Sequence, residues 1–142
     1  MKKNIVKRML TLALAALLAL SLFACGKKTD NNSGSTSGAT TYKVGICNYV
    51  DDASLNQIVS NIESQLKAIG QEKGVTFDVT YDNCNADSAV LNQIIANFMA
   101  DKVDLMIGVA TPVAVAMQTA TEGTDIPVVF AAVSDPVSAG LV

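Results

Sequence analysis

One short segment limits the possible folds of this chain more than any other. Asp104 to Ala110 (DLMIGVA) is nearly all apolar, and Thr111 and Pro112 follow it directly. A strand that is covered on both faces needs such a run, and proline favours the first turn of a helix. The sequence therefore predicts a buried strand and then a helix to about Thr121, with the Thr111 hydroxyl as its cap.

The same alternation of strand and helix extends along the chain from Tyr42. Further strands are predicted at Tyr42 to Cys47, Val75 to Tyr81 and Ile126 to Val133, and further helices at Asp52 to Ile69, stopped by Gly70, and after a capping Asp87. Strands that are joined by helical crossovers are parallel. The prediction is an α/β fold, a three-layer sandwich with an open parallel sheet.

The N-terminus has the pattern of an export signal. A basic head (Lys2, Lys3, Lys7, Arg8) precedes the apolar stretch Met9 to Phe23, which ends in Leu22-Phe23-Ala24-Cys25. This ending is similar to a bacterial lipobox, which predicts cleavage before Cys25, lipidation of Cys25 and an extracytoplasmic, lipid-anchored protein. A retained signal anchor is less favoured, because a spanning helix needs roughly 20 apolar residues. A plain secretory peptide cut near Ala24 is the other alternative.

The predicted organisation has three parts. Residues 1–24 form the signal peptide and residues 25–41 a lipidated, flexible tether, because Gly26 to Thr41 offers no large apolar side chain to bury. Residues 42–142 form the α/β lobe.

Charge argues against a nucleic-acid partner. The chain has 10 basic and 13 acidic residues, and four of the basic residues lie in the signal peptide. The mature part therefore keeps six lysines and no arginine, whereas nucleic-acid binding draws most of its affinity from basic side chains.

Cys47 and Cys84 are the cysteines that lipidation leaves over. They are interpreted as small apolar residues at strand ends, with a disulfide as the alternative. The chain has no histidine and no CxxC pair, so neither a metal site nor a cofactor is predicted. No sequence motif of a nucleophilic or nucleotide-dependent enzyme is present. A lipid-tethered enzyme of unknown type therefore stays only a weak alternative.

Two segments carry a resemblance to a known family. VDLMIGVATPVAVAM, followed by IPVVFAAVSDPVSAGLV, resembles the first lobe of the tryptophan/tyrosine-type substrate-binding lipoproteins of ABC transporters. The opening YKVGICNYVDDASLNQIVSNIESQLKAIG is similar to the first strand and helix of that family. The resemblance implies a type I periplasmic-binding-protein fold and no catalysis. It also implies an aromatic or other hydrophobic amino acid as ligand, and an ABC permease in the membrane as partner.

The resemblance also implies a second lobe. Members of that family bind their ligand between two lobes, so this chain is expected to be the N-terminal lobe alone, either as a fragment of a longer reading frame or as a truncated product. A type I receptor for a sugar or a branched-chain amino acid would have the same fold, and this stays the main alternative.

Sheet topology indicates where a ligand would lie. In open parallel sheets, ligands bind beyond the carboxyl ends of the strands. The candidate ligand-binding residues are therefore Asn48, Tyr49, Asp82, Thr111, Ser134 and Asp135. Thr111 and Ser134 would offer hydroxyl donors at helix N-termini, where an anionic group is favoured.

Each candidate has a structural alternative. Thr111 and Ser134 are equally interpreted as helix caps, and Asp135 before Pro136 as a turn residue. Tyr49 is either a cover for the cleft or an ordinary half-buried aromatic residue. Asp51 and Asp52 are expected to cap the first helix.

Overall fold

The structure is a computed structural model that describes residues 39–142. The signal peptide, Cys25 and nearly all of the tether lie outside the described residues. The elements are β1 (Thr41–Asn48), α1 (Ala53–Lys73), β2 (Thr76–Asn83), α2 (Ser88–Ala100), β3 (Leu105–Val109), α3 (Thr111–Thr121) and β4 (Val128–Ala131).

The strands form one open sheet in the order β2-β1-β3-β4. All three strand pairs are parallel. The predicted α/β class and the parallel sheet are therefore confirmed. β1 and β3 are central, and their burial agrees with their apolar sequences.

Helices cover both faces of the sheet, which gives the three layers. On one face, α1 packs on Val44, Ile46, Ile107 and Val109 through Val59 and its half-buried neighbours. On the other face, α2 and α3 share a core around Cys47 and Met106, to which they contribute Leu91, Ile94, Ile95, Phe98, Val113 and Met117. The alternation of side chains along β1 and β3 supplies both cores.

The start of α1 was predicted correctly and its end was not. Asp52 caps the helix, and its Oδ1 accepts from the N–H groups of Ser54 and Leu55 at 2.8 and 3.2 Å. The helix continues through Gly70 and ends at Gly74, which has the left-handed φ of 67°. Gly70 instead permits close packing, since a Cβ there would lie 2.8 Å from the Val75 carbonyl oxygen.

The two edge strands differ in length from the prediction. β2 continues to Asn83, because it pairs with β1 along the whole of that strand. β4 is shorter than predicted, with only Val128–Ala131 paired to β3. Ala132 has a φ of 57°, a left-handed conformation that takes the backbone out of the ladder.

None of the helices in residues 39–142 is both long and apolar enough to cross a membrane.

Candidate functional site

The carboxyl ends of the four strands form one straight edge. The register places Asn83, Asn48, Val109 and Ala131 in a single row across the sheet. The residues that follow this row begin the loops after β1, β2 and β4 and lead into helix α3 after β3. We refer to this row and the loops after it as the carboxyl edge.

The connections reverse direction between β1 and β3. From β1 the chain passes through α1 to β2, on one side, and from β3 it passes through α3 to β4, on the other. The helices that follow these two central strands lie on opposite faces of the sheet. Such a reversal leaves a crevice between the loops of the two strands, where ligands bind in open α/β sheets. Tyr49 and Thr111 lie at its two sides.

The N-terminus of α3 at this crevice has no side-chain cap. Ala110, not Thr111, is the N-cap residue, and it makes no capping hydrogen bond. The prediction of a Thr111 cap is therefore wrong. β3 ends at Val109 and Thr111 is already the first residue of α3, whereas a capping hydroxyl must come from the residue before the helix. The first-turn N–H groups of Thr111 and Val113 have no intrahelical acceptor. By contrast, Asp52 and Asp87 cap α1 and α2, so α3 is the one helix of these three without a side-chain cap.

Backbone strain lies beside these donors. Ala110 has φ 81° and ψ 154°, a region that is populated almost only by glycine. Its N–H donates to the Ala131 carbonyl at 2.9 Å, which holds Ala110 directly beside the row. Strain of this kind costs about 1 to 3 kcal/mol and is concentrated at functional sites. The strained position coincides with the predicted binding edge.

Asn48 lies beneath the crevice and is fully buried, with an exposure of 0 %. Its Nδ2 donates to Asn56 Oδ1 at 3.0 Å, and Asn56 Nδ2 donates to Asp51 Oδ1 at 2.6 Å. The Oδ1 atom of Asn48 is buried and accepts no hydrogen bond. Sequence reasoning selected Asn48 but missed Asn56, because a polar residue in a first helical turn is ordinarily solvated.

The backbone after β1 is held to the loop after β2. The Tyr49 carbonyl accepts from the Ala86 N–H at 2.7 Å and from Cys84 Sγ at 3.3 Å. The Tyr49 side chain is half-buried against the core that α2 and α3 share. Ala86 and Asn85 both have positive φ, so the loop after β2 is tightly turned.

Cys47 and Cys84 are buried free thiols beneath this loop. Burial, the neighbouring Cys84 and the charge of Asp82 raise the pKa of Cys47 to about 12. The Cys47 thiol is therefore protonated at neutral pH and has little nucleophilic character. This agrees with the interpretation of both cysteines as small apolar core residues.

The remaining candidates lie toward the outer strands. Asp82 is exposed on β2, and Ser134 is exposed three residues beyond β4. Asp135 shapes the turn after β4: its carboxylate accepts from the Ser138 N–H at 2.9 Å and from Ser138 Oγ at 2.6 Å. These bonds hold the pKa of Asp135 below its ordinary value. The prediction that Ser134 lies at a helix N-terminus is wrong, because residues 136–140 form a turn and no helix follows β4 in the described residues. Asp135, not Ser134, caps this turn.

Charge is distributed unevenly between the two ends of the sheet. Five aspartates lie at or beside the carboxyl edge: four in its loops, namely Asp51, Asp52, Asp87 and Asp135, and Asp82 next to the end of β2. The lysines of the described part all lie elsewhere: Lys43 and Lys102 at the amino end, and Lys67 and Lys73 in the second half of α1. The resulting negative potential disfavours a ligand with net negative charge and tolerates a neutral or zwitterionic one.

Two grooves border β2. One of about 440 Å³ lies at the carboxyl edge and is lined by Asp51, Asn56, Val59, Ser60, Glu63, Tyr81, Asn83 and Asn85. Another of about 400 Å³ lies at the opposite end, around Gly70 and Phe77. The first groove lies on the β2 side of the crevice, and Asp51 and Asn56 in its lining belong to the chain of hydrogen bonds that begins at Asn48.

Comparison with known families agrees with this arrangement. The family described as ABC transporter substrate binding protein matches residues 43–142. A tyrosine-binding protein of Clostridioides difficile (strain R20291) is 31% identical over 141 residues, which is 96% of this chain and 40% of that protein. The chain thus spans less than half the length of this curated relative.

Solved structures show the same fold with similar partial coverage. A ligand-free, open substrate-binding protein with adhesive properties from Clostridium difficile is 36% identical, with a TM-score of 0.63 over 71% of this chain and 34% of that one. An ABC domain from Streptococcus pneumonia in complex with L-Trp is 31% identical, with a TM-score of 0.65 over 72% and 34%. A conserved domain protein from Vibrio cholerae is 34% identical, with a TM-score of 0.64 over 72% and 34%.

Proposed function

Because this chain belongs to the ABC transporter substrate-binding protein family, we propose that it serves as the N-terminal lobe of an extracytoplasmic receptor for an amino acid. The ligand is an aromatic or other hydrophobic amino acid, and the complete receptor delivers it to an ABC permease. Lipid on Cys25 holds the receptor at the membrane, and the tether of residues 25–41 lets the lobe stand clear of the headgroups.

The uncapped N-terminus of α3 is the observation that carries this proposal. A helix N-terminus with free N–H groups and a partial positive charge suits a carboxylate. With aspartates and no lysine around it, this is the place at the carboxyl edge where an anionic group is favoured. The ligand's carboxylate binds to the N–H groups of Thr111 and Val113 and to the Thr111 hydroxyl.

The surrounding carboxylates suit the other end of the same ligand. An amino acid carries an ammonium group beside its carboxylate, and Asp82 and Asp135 give the edge a negative potential that favours such a cation. Tyr49 covers one side of the crevice. Ser134 and Asp135 complete the edge on the β4 side. A sugar would use neither the uncapped donors nor the negative potential as fully.

The relatives support the choice of ligand class. One is a tyrosine-binding protein and another was solved with L-Trp. Side-chain selection is expected to require a second half of the cleft, and the chain spans only 34 to 40% of these relatives. Capture then proceeds by closure of two lobes on a hinge, and the closed form docks on the permease; binding shifts this equilibrium without catalysis.

The experiment is a calorimetric titration of the protein expressed from its complete reading frame, with Thr111→Val and Ser134→Ala variants. Losing a hydrogen bond to a charged group is expected to weaken amino-acid binding roughly 10- to 150-fold. Melting curves separate this from a structural effect. Variants that bind tyrosine or tryptophan as tightly as the parent would show that these hydroxyls do not hold the ligand. Tight binding of a sugar or of leucine in place of aromatic amino acids would replace the proposed ligand class.

A further inference from the structure

Two hydrogen bonds in series, from Asn48 to Asn56 and from Asn56 to Asp51, join the floor of the crevice to the loop that borders it. We refer to them as the hydrogen-bond chain. We propose that Asn48 is a positioning residue: through Asn56 and Asp51 it fixes the β1–α1 loop, residues 49–52, in the conformation that binds ligand. This inference rests on the proposed function and adds to it residues that set affinity without touching the ligand.

Asp51 determines which atom donates and which accepts in both hydrogen bonds of the hydrogen-bond chain. Its carboxylate only accepts, so Asn56 presents its Nδ2 to Asp51 and is left with Oδ1 for Asn48. Asn48 must then donate through Nδ2, at 3.0 Å, which leaves its own Oδ1 as the unpaired atom. One exposed carboxylate therefore sets the orientation of a fully buried amide eight residues from Asn56 in sequence.

The unpaired Oδ1 of Asn48 indicates that the hydrogen-bond chain serves ligand binding more than stability. A buried polar atom without a partner destabilises the folded protein, and an apolar residue of the same shape would avoid that penalty. Asn48 is fully buried on the same strand as the buried Val44 and Ile46. An energetically unfavourable group beneath a strained edge is the pattern expected at a functional site.

The β1–α1 loop, which the hydrogen-bond chain holds, is connected to two sides of the crevice. Asp52, at its end, is the N-cap of α1, and the Asp52 N–H donates to the Val50 carbonyl at 3.0 Å. Tyr49, at its start, accepts from the loop after β2. Asn48 itself pairs in register with Val109, the residue before the strained Ala110. Releasing the loop would therefore disturb both walls against which a ligand packs.

A double-mutant cycle tests this in the protein expressed from its complete reading frame. The variants are Asp51→Ala, Asn56→Ala and the double variant, with Asp51→Asn as the conservative replacement, because an asparagine oxygen still accepts from Asn56 Nδ2. Asn61→Ala is the matched control. It removes an exposed side-chain hydrogen bond on the same helix, in which Gln57 Nε2 donates to Asn61 Oδ1 at 3.1 Å. The affinity for L-tyrosine or L-tryptophan and the melting temperature are measured for each.

We expect Asp51→Ala to weaken binding about three- to tenfold at an unchanged melting temperature, because Asp51 is exposed. Asn56→Ala weakens binding at least as much, and the double variant equals Asn56→Ala within about twofold, since both act through one chain. Asp51→Asn and Asn61→Ala bind as the parent does. If Asp51→Asn loses as much affinity as Asp51→Ala, or if the two single effects multiply, Asp51 contacts the ligand directly and the inference is wrong.

Hydrogen exchange without ligand separates this inference from the proposed function. Exchange of the Asp52 N–H is expected to be about three- to tenfold faster in Asp51→Ala and Asn56→Ala than in the parent and in Asn61→Ala. A parent that binds no amino acid would overturn the proposed function and the affinity part of this inference. Equal exchange in all four proteins would overturn the loop anchor itself.

Discussion

Substituting Gly108 by alanine tests how closely α3 packs on the sheet. A Cβ at Gly108 would lie 2.9 Å from Ala114 Cα, 3.0 Å from Ala114 N and 3.3 Å from Met117 Sδ. Carbon atoms in good contact are about 3.5 to 4.0 Å apart. Since the nearest atoms belong to the backbone of α3, no side-chain rotation relieves the clash, and the first turns of the helix must move outward by roughly 0.5 to 1 Å.

The expected loss of stability follows from two opposing effects. Overpacking a close contact costs typically about 1 to 3 kcal/mol. Replacing glycine by alanine also restricts the unfolded chain, which returns about 0.4 to 1 kcal/mol. The middle values of the two ranges give a net loss of about 1.3 kcal/mol, or a fall in melting temperature of roughly 5 to 10 °C for a domain of this size.

Gly45→Ala is the matched control, because its Cβ would lie 2.6 Å from Phe98 Cδ2 of α2. Both variants are expected to melt lower by calorimetry. Only Gly108→Ala is expected to weaken amino-acid binding, by about tenfold or more, because it alone displaces the donors of Thr111 and Val113. An unchanged melting temperature in Gly108→Ala would refute the close packing, and equal loss of affinity in both variants would refute the role of α3.

Four further substitutions test other parts of the account. Asp87→Ala should lower the melting temperature by roughly 4 to 8 °C, because its Oδ1 accepts from the N–H groups of Ala89 and Val90 and a lost cap costs about 1 kcal/mol; an unchanged melting curve would contradict this. Ala110→Gly should stabilise the lobe by about 1 kcal/mol in denaturant titrations, as it removes strain at φ 81°, whereas destabilisation would show that the strain is not real. The pKa of Cys47 is raised from 9.0 to about 12 in the folded state, so the stability gained by keeping the thiol neutral is complete below pH 9 and is lost as the pH rises toward 12. The free energy of unfolding should therefore fall less between pH 8 and 10.5 in Cys47→Ala than in the parent, and equal slopes would exclude this cause. Cys25→Ala should abolish incorporation of a labelled fatty acid in bacteria, and a variant that still takes up label would remove the lipoprotein proposal.

Features with a local cause could be predicted from the sequence. Asp52 and Asp87 were identified as N-caps because an aspartate before an amphipathic stretch satisfies first-turn donors wherever the helix lies. The strand order was not predicted, but the parallel direction followed from the helical crossovers alone.

Features that depend on register and packing could not be predicted in the same way. Gly70 was predicted to end α1, but the helix continues to Lys73 and the left-handed Gly74 caps it. Gly70 is needed for its close contact with the Val75 backbone, which the sequence does not reveal. Thr111 looked like a cap because threonine before proline often is one, whereas the length of β3 decides which residue precedes the helix. The unpaired Oδ1 of Asn48 could not be predicted either. It results from the hydrogen bond of Asn48 Nδ2 to Asn56 of α1 and from burial by the folded lobe.

The central claim is that an amino acid binds at the carboxyl edge with its carboxylate at the N-terminus of α3. It is tested most directly by comparing L-tyrosine with tyramine, which lacks the carboxylate, in calorimetric titrations of the protein expressed from its complete reading frame. We predict that L-tyrosine binds at least about 100-fold more tightly than tyramine, and that Thr111→Val removes a large part of this difference. Equal affinity for the two compounds, or a difference that Thr111→Val leaves unchanged, would contradict the claim.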